Sequence, residues 1–105
     1  MWPGLRRRGG GDSGWDTALL CAAANGHVAV VELLLKDGAD VNGADKYGNT
    51  ALIDSAYNGY ADVVEALLAH GADLNTTAKD GDTALMKAAK NDHVEVLQAK
   101  QKIKC

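Results

Sequence analysis

Thr50-Ala51-Leu52-Ile53 has an echo upstream, Thr17-Ala18-Leu19-Leu20, and another downstream, Thr83-Ala84-Leu85-Met86, at equal spacing on either side. The words around it move with it. Asn25-Gly26-His27 returns as Asn58-Gly59-Tyr60 and Asn91-Asp92-His93, and Gly38-Ala39-Asp40-Val41-Asn42 returns as Gly71-Ala72-Asp73-Leu74-Asn75. A period between roughly 20 and 50 residues marks a chain of supersecondary units that bury a core only by stacking on one another.

Each copy opens on a threonine, whose hydroxyl accepts a hydrogen bond from a free N–H of the first helical turn. Thr17, Thr50 and Thr83 are therefore expected as helix N-caps. An Ala-rich helix follows to Asn25, Asn58 or Asn91. There Gly26 or Gly59 supplies the left-handed backbone that stops it, and Asp92 takes that place in the third copy. The second helix carries Val30, Val31, Leu34 and Leu35, then Val63, Val64, Leu67 and Leu68, at helical spacing, and is expected to supply most of the core. Gly38 and Gly71 end it, and the polar stretches 40–49 and 73–82 follow as extended loops rich in turn residues.

Helix, turn, helix and loop in this register, with Val-Val-Glu-Leu-Leu-Leu at 30–35, Gly-Ala-Asp-Val-Asn at 38–42 and Asp-Lys-Tyr-Gly-Asn-Thr-Ala-Leu at 45–52, resemble the ankyrin repeat. The resemblance implies an all-α solenoid of stacked antiparallel helix pairs with β-hairpin-like loops projecting as fingers. Two units span 12–44 and 45–77, and a partial third spans 78–97. A Gly/Arg-rich leader at 1–11, with little to bury, precedes them, and a Lys-rich tail at 98–105 follows. The family's Thr-Pro-Leu-His is replaced by Thr-Ala-Leu and an apolar residue, which forfeits a proline-set helix start. Trp15 stands where the later copies have Gly48 and Gly81, so the first turn is expected to be irregular. In the third copy Lys100, Gln101 and Lys104 fall where Leu34, Leu35 and Gly38 stand in the first. That polar ending suits either a solvent-facing cap or an interrupted sequence.

The 105 residues allow one domain with a modest core, and the absence of Phe beside many Ala, Leu and Val suits thin, closely packed helix layers. Net charge is −3, yet residues 12–97 hold five lysines against fourteen acidic residues. Such a body repels phosphate backbones, which argues against nucleic acid as the main ligand. No apolar run approaches the roughly 18 residues of a membrane span. Cys21, Cys105 and the three histidines lack metal-ligand spacing, so no metal or cofactor is expected, and a reduced intracellular setting, cytoplasmic or nuclear, is the simplest reading. There is no nucleophile elbow and no phosphate loop. Asp54 and Asp62 come nearest to a carboxylate pair, but they lie on different helices and are expected to face solvent or a partner.

The resemblance thus implies a non-enzymatic protein–protein interaction module, an adaptor or regulatory fragment that reads a protein partner through its fingers and the concave face of its first helices. Matched to that face are Trp15, Asp16, Lys46, Tyr47, Asn49, Tyr57, Asn58, Lys79, Asp80, Asp82, Lys90 and Asn91. Tyr47, Tyr57 and Trp15 are the expected anchors, because aromatic residues dominate interface hot spots. The open ends of the stack make self-association a further expectation. The alternative is a truncated, marginally stable chain that binds weakly, since about three repeats are needed for stability. The resemblance also implies that Asn42 and Asn75 close their loops through side-chain bonds to backbone. It raises their modification by an asparaginyl hydroxylase as well, which a gain of one oxygen per site in intact mass would test.

Overall fold

The computed structural model describes residues 14–104, with side chains described for 17–99. The expected leader at 1–11 and the terminal Cys105 lie outside the described residues. Six helices follow one another: α1 (Gly14–Ala24), α2 (Val28–Lys36), α3 (Ala51–Asn58), α4 (Ala61–Ala69), α5 (Ala84–Lys90) and α6 (Val94–Lys104). They form two layers. α1, α3 and α5 pack side by side in one, α2, α4 and α6 in the other, and each helix of a pair packs on its partner. The result is an elongated body of 40 × 28 × 22 Å.

The starts and stops of the helices follow from single residues. Thr50 and Thr83 are extended, and their hydroxyls accept from the N–H groups of Ile53 and Met86. Thr17 does not act in this way: α1 begins at Gly14, which puts Thr17 inside the helix and exposed. The cause is the residue two places earlier. Gly48 and Gly81 turn the backbone at φ 79° and 89° just before their threonines, a conformation that costs little only for glycine. Trp15 in that place favours right-handed backbone, and the helix runs upstream through it. At the other end of the short helices Gly26 and Gly59 take φ 77° and 82°, and Asp92 takes φ 61°. In each case the following N–H reaches back five residues, as from Tyr60 to the Ser55 carbonyl and from His93 to that of Ala88, satisfying carbonyls the helix leaves free.

Both layers supply the core. Leu19, Ala23, Leu52, Ile53, Ala56 and Ala88 are buried from the inner layer, and Val31, Val63, Val64, Leu67, Val96 and Ala99 from the outer one. The expectation that the second helices supply most of it is thereby corrected, and Val30, expected inside, is 46% exposed. The third unit also extends beyond its expected end. α6 runs through the boundary drawn at 97/98, because Val96 and Ala99, three residues apart, lie on its buried face, while Val94 and Leu97 are left in the open.

The fingers are hairpin-like in their bonding, but they are turns with no strand among the described residues. One isolated antiparallel bridge joins Ala44 to Thr50. In the first finger the Asp45 N–H donates to the Asn49 carbonyl, and the Asp45 carboxylate accepts from the N–H groups of Tyr47 and Asn49, both at 2.9 Å. In the second finger Ala78 takes the place of Asp45, and the Ala78 N–H donates to the Asp82 carbonyl. The Lys79 N–H then donates to the Tyr47 carbonyl at 3.0 Å and ties finger to finger. A Cβ on Gly48 would lie 3.0 Å from that same nitrogen, so the close approach and the positive φ both require glycine there.

Candidate functional site

Fingers and inner helices meet in an open groove. Its deeper part is a cavity of about 320 Å³ lined by Asn49, Ile53, Asp54, Tyr57 and Lys87. An adjoining cavity of about 250 Å³, lined by Tyr47, Asn49, Ala78, Lys79, Asp80 and Lys87, carries it out towards the finger tips. Asn49 and Lys87 belong to both. α3 presents Ile53, Asp54 and Tyr57, which lie at helical spacing, and the finger turns bring Tyr47 and Lys79 to the rim.

The two tyrosines keep more than half of their surface in the open, Tyr47 at 59% and Tyr57 at 53%. The Lys46 ammonium stands over the Tyr47 ring, 5.4 Å from its centre. Asp80 and Asp82 of the second finger pair with the two lysines of α5. Lys87 Nζ lies 2.6 Å from Asp80 Oδ2 and 3.6 Å from Asp82 Oδ2, and Lys90 Nζ lies 2.6 Å from Asp82 Oδ2. The hydrogen bond from Lys87 holds the Asp80 carboxyl below its ordinary range, and Asp80 in turn raises the Lys87 ammonium.

Asp54 is different. Its carboxylate makes no hydrogen bond with any described residue, and partial burial, helped by the like charge of Asp45, raises its pKa to about 6 against the opposing pull of Lys87. Its companion is thus Asp45 on the first finger and not Asp62, whose carboxylate accepts from the Val63 N–H at the start of α4.

The structure gathers Tyr47, Asn49, Tyr57, Lys79, Asp80, Asp82 and Lys90 in or beside the groove, with Lys46 above Tyr47. It assigns Asn58 and Asn91 to a different task. Asn58 Nδ2 donates to the carbonyls of Ala24 and Asp54, each at 3.1 Å, and Asn91 Nδ2 donates to those of Tyr57 and Lys87, each at 3.3 Å. Both amides stitch one unit to the one before. His93 does the same through Nε2 against the Tyr57 carbonyl at 3.0 Å. Trp15 and Asp16 belong to α1, and their side chains lie outside the described residues, as do those of Lys100, Lys102 and Lys104 in the tail. Asn42 bonds backbone as expected, though across units: its Oδ1 accepts from the Asp73 N–H at 2.8 Å.

Lys87 was missed as a groove residue. One signal could have found Lys87, since it occupies the position of Asp54 in the next repeat and so had to stand beside it on the same face. Among the described residues no group of three His, Cys, Asp or Glu side chains is placed to hold a metal. No described helix is long and apolar enough to cross a membrane.

Comparison with known families gives two matches. A model described as ankyrin repeats, in three copies, matches residues 9–78, and a single ankyrin repeat model matches residues 80–99. No curated protein matches the chain.

Proposed function

The chain belongs to the ankyrin repeat family, whose members are in general protein–protein interaction modules, and on that premise we propose that it is a non-enzymatic binding module. Its binding face is the groove between the fingers and the inner helices. The observation that carries this reading is the pair of exposed tyrosines at the groove's two ends, held on backbone that is fixed without any partner. Tyr57 rides on α3, and the Tyr47 N–H and carbonyl are both taken up by hydrogen bonds. Little ordering entropy then opposes association, so most of the contact energy reaches the affinity. An adaptor or regulatory role in a reduced intracellular compartment is part of the same proposal.

The test is affinity capture with the wild-type chain against a Tyr47→Ala, Tyr57→Ala double variant. Both side chains are largely solvent-facing, so the variant keeps its helical circular dichroism. Loss of specific captured proteins is the expected result, and an unchanged set would place the binding face elsewhere.

Self-association is a second reading, favoured by the bare ends of the described stack. Val30 and Leu33 are exposed on α2, while their equivalents Val63 and Ala66 on α4 and Val96 and Ala99 on α6 are buried. At the other end Met86, Val94 and Leu97 are exposed, and the equivalents of the first and last, Ile53 and Val64, are buried. One end thus offers what the units inside the stack use to pack backward, and the other what they use to receive it.

A further inference from the structure

We propose that the groove receives one basic side chain, a lysine or arginine on an exposed segment of a protein partner, seated between Tyr57 and Tyr47 with its charge against Asp54 and Asp45. This deepens the binding-module reading and rests on it. Charge complementarity selects the occupant. The positive group that lines the deeper cavity is already engaged: Lys87, only 16% exposed, is held between Asp80 and Asp82. Beside the groove Lys90 is held by Asp82 and Lys46 lies over the Tyr47 ring, while Lys79 stands in the adjoining cavity towards the finger tips, which Asp54 does not line. Asp54 is left without a hydrogen bond from any described residue, in a cavity wall where Asp45 adds charge of its own sign. An incoming carboxylate would add a third like charge and would have to compete with Asp80 and Asp82 for Lys87. An incoming ammonium or guanidinium answers the unmet carboxylate and has the Tyr57 ring in the same cavity wall. Size agrees as well. About 320 Å³ lies at the bottom of the range of about 300 to 1,000 Å³ for small-molecule sites, which is room for one side chain entering from the open edge.

The ionisation of Asp54 supports the same assignment. Its carboxyl stands raised to about 6 because burial and Asp45 disfavour the charged form, and a bound cation reverses that balance. The groups that face it are Asp45 from the first finger and Lys87 from α5. His93 is bonded to the carbonyl of Tyr57.

The experiment is an NMR titration of the full chain with three capped tripeptides: Ala-Arg-Ala, the same peptide with citrulline for arginine, and Ala-Glu-Ala. The Tyr57 ring protons and the Asp54 amide are followed at about pH 7 and about pH 5, either side of the Asp54 titration. The arginine peptide is expected to shift both signals and to bind about ten-fold more tightly than the citrulline peptide, the usual weight of one charge-assisted hydrogen bond. Asp54→Asn should remove most of that preference at neutral pH. The wild type should lose it on acidification and the variant should not change, whereas pH dependence that persists in Asp54→Asn belongs to another group and overturns the assignment. Equal binding of arginine and citrulline peptides, tighter binding of the glutamate peptide, or no shift at any concentration overturns it too. Affinity capture then separates this inference from its premise. Partners lost by the tyrosine variant and kept by Asp54→Asn leave the binding face standing without a basic anchor. Partners kept by both remove the binding face as well.

Discussion

Asp54 shows how a single position changes meaning once its neighbours are fixed. On the chain it is one of fourteen acidic residues, and in the fold it is a partly buried carboxyl raised from 3.8 to about 6. The folded state therefore holds this proton more tightly than the unfolded chain does. The stability linked to it is fully present below about pH 4 and is lost as the pH rises through 6. A gap of about two pH units corresponds to about 3 kcal/mol, which solvent screening at a half-exposed site reduces to about 1 kcal/mol. Asp54→Asn should accordingly raise stability at neutral pH by about that amount and flatten its dependence between about pH 4 and 6. Chemical denaturation across that range is the measurement, and a less stable variant at neutral pH would contradict the burial argument. Because the substitution is expected to stabilise the fold, its loss of binding could not be put down to unfolding.

Equivalent elements are not equivalent environments. α2 and α4 share their spacing of valines and leucines, yet Val30 is 46% exposed and Val63 is wholly buried. α4 lies between α2 and α6, whereas among the described residues α2 has a neighbour in its layer on one side alone. Val63→Ala should cost about 2 kcal/mol by lost transfer energy and cavity formation, while Val30→Ala should stay within about 0.5 kcal/mol. Urea unfolding of the two variants checks this, and similar losses would show that α2 is covered. α1 carries the same lesson in its start. The capping threonine is present in all three units, but it caps only where a glycine has already turned the backbone out of the helix.

At the scale of the whole molecule, the apolar side chains exposed at the two ends of the described stack underlie the proposed self-association. Head-to-tail packing of copies would cover Val30 and Leu33 with Met86, Val94 and Leu97, a heterologous contact that does not close on itself. Sedimentation velocity should then show a weight average rising with concentration, and Leu33→Glu or Leu97→Glu should abolish the rise. A constant monomeric value for the wild type would remove self-association. The sequence by itself determined the unit, its length, the order of helix, turn and finger, and the glycine or threonine that starts or stops most helices. Each of these depends on residues close along the chain, and the repetition states it once per unit. It also marked Tyr47, Tyr57 and most of the polar rim by their repeat positions. Only the tertiary structure decided which apolar residues are covered, that Asn58, Asn91 and Asn42 are spent on holding unit to unit, and that Lys87 is tied up beside an unmet Asp54. Those outcomes depend on what stands on the adjacent unit, and a periodic pattern assigns equal positions to residues whose neighbours, charges and access to water are not equal.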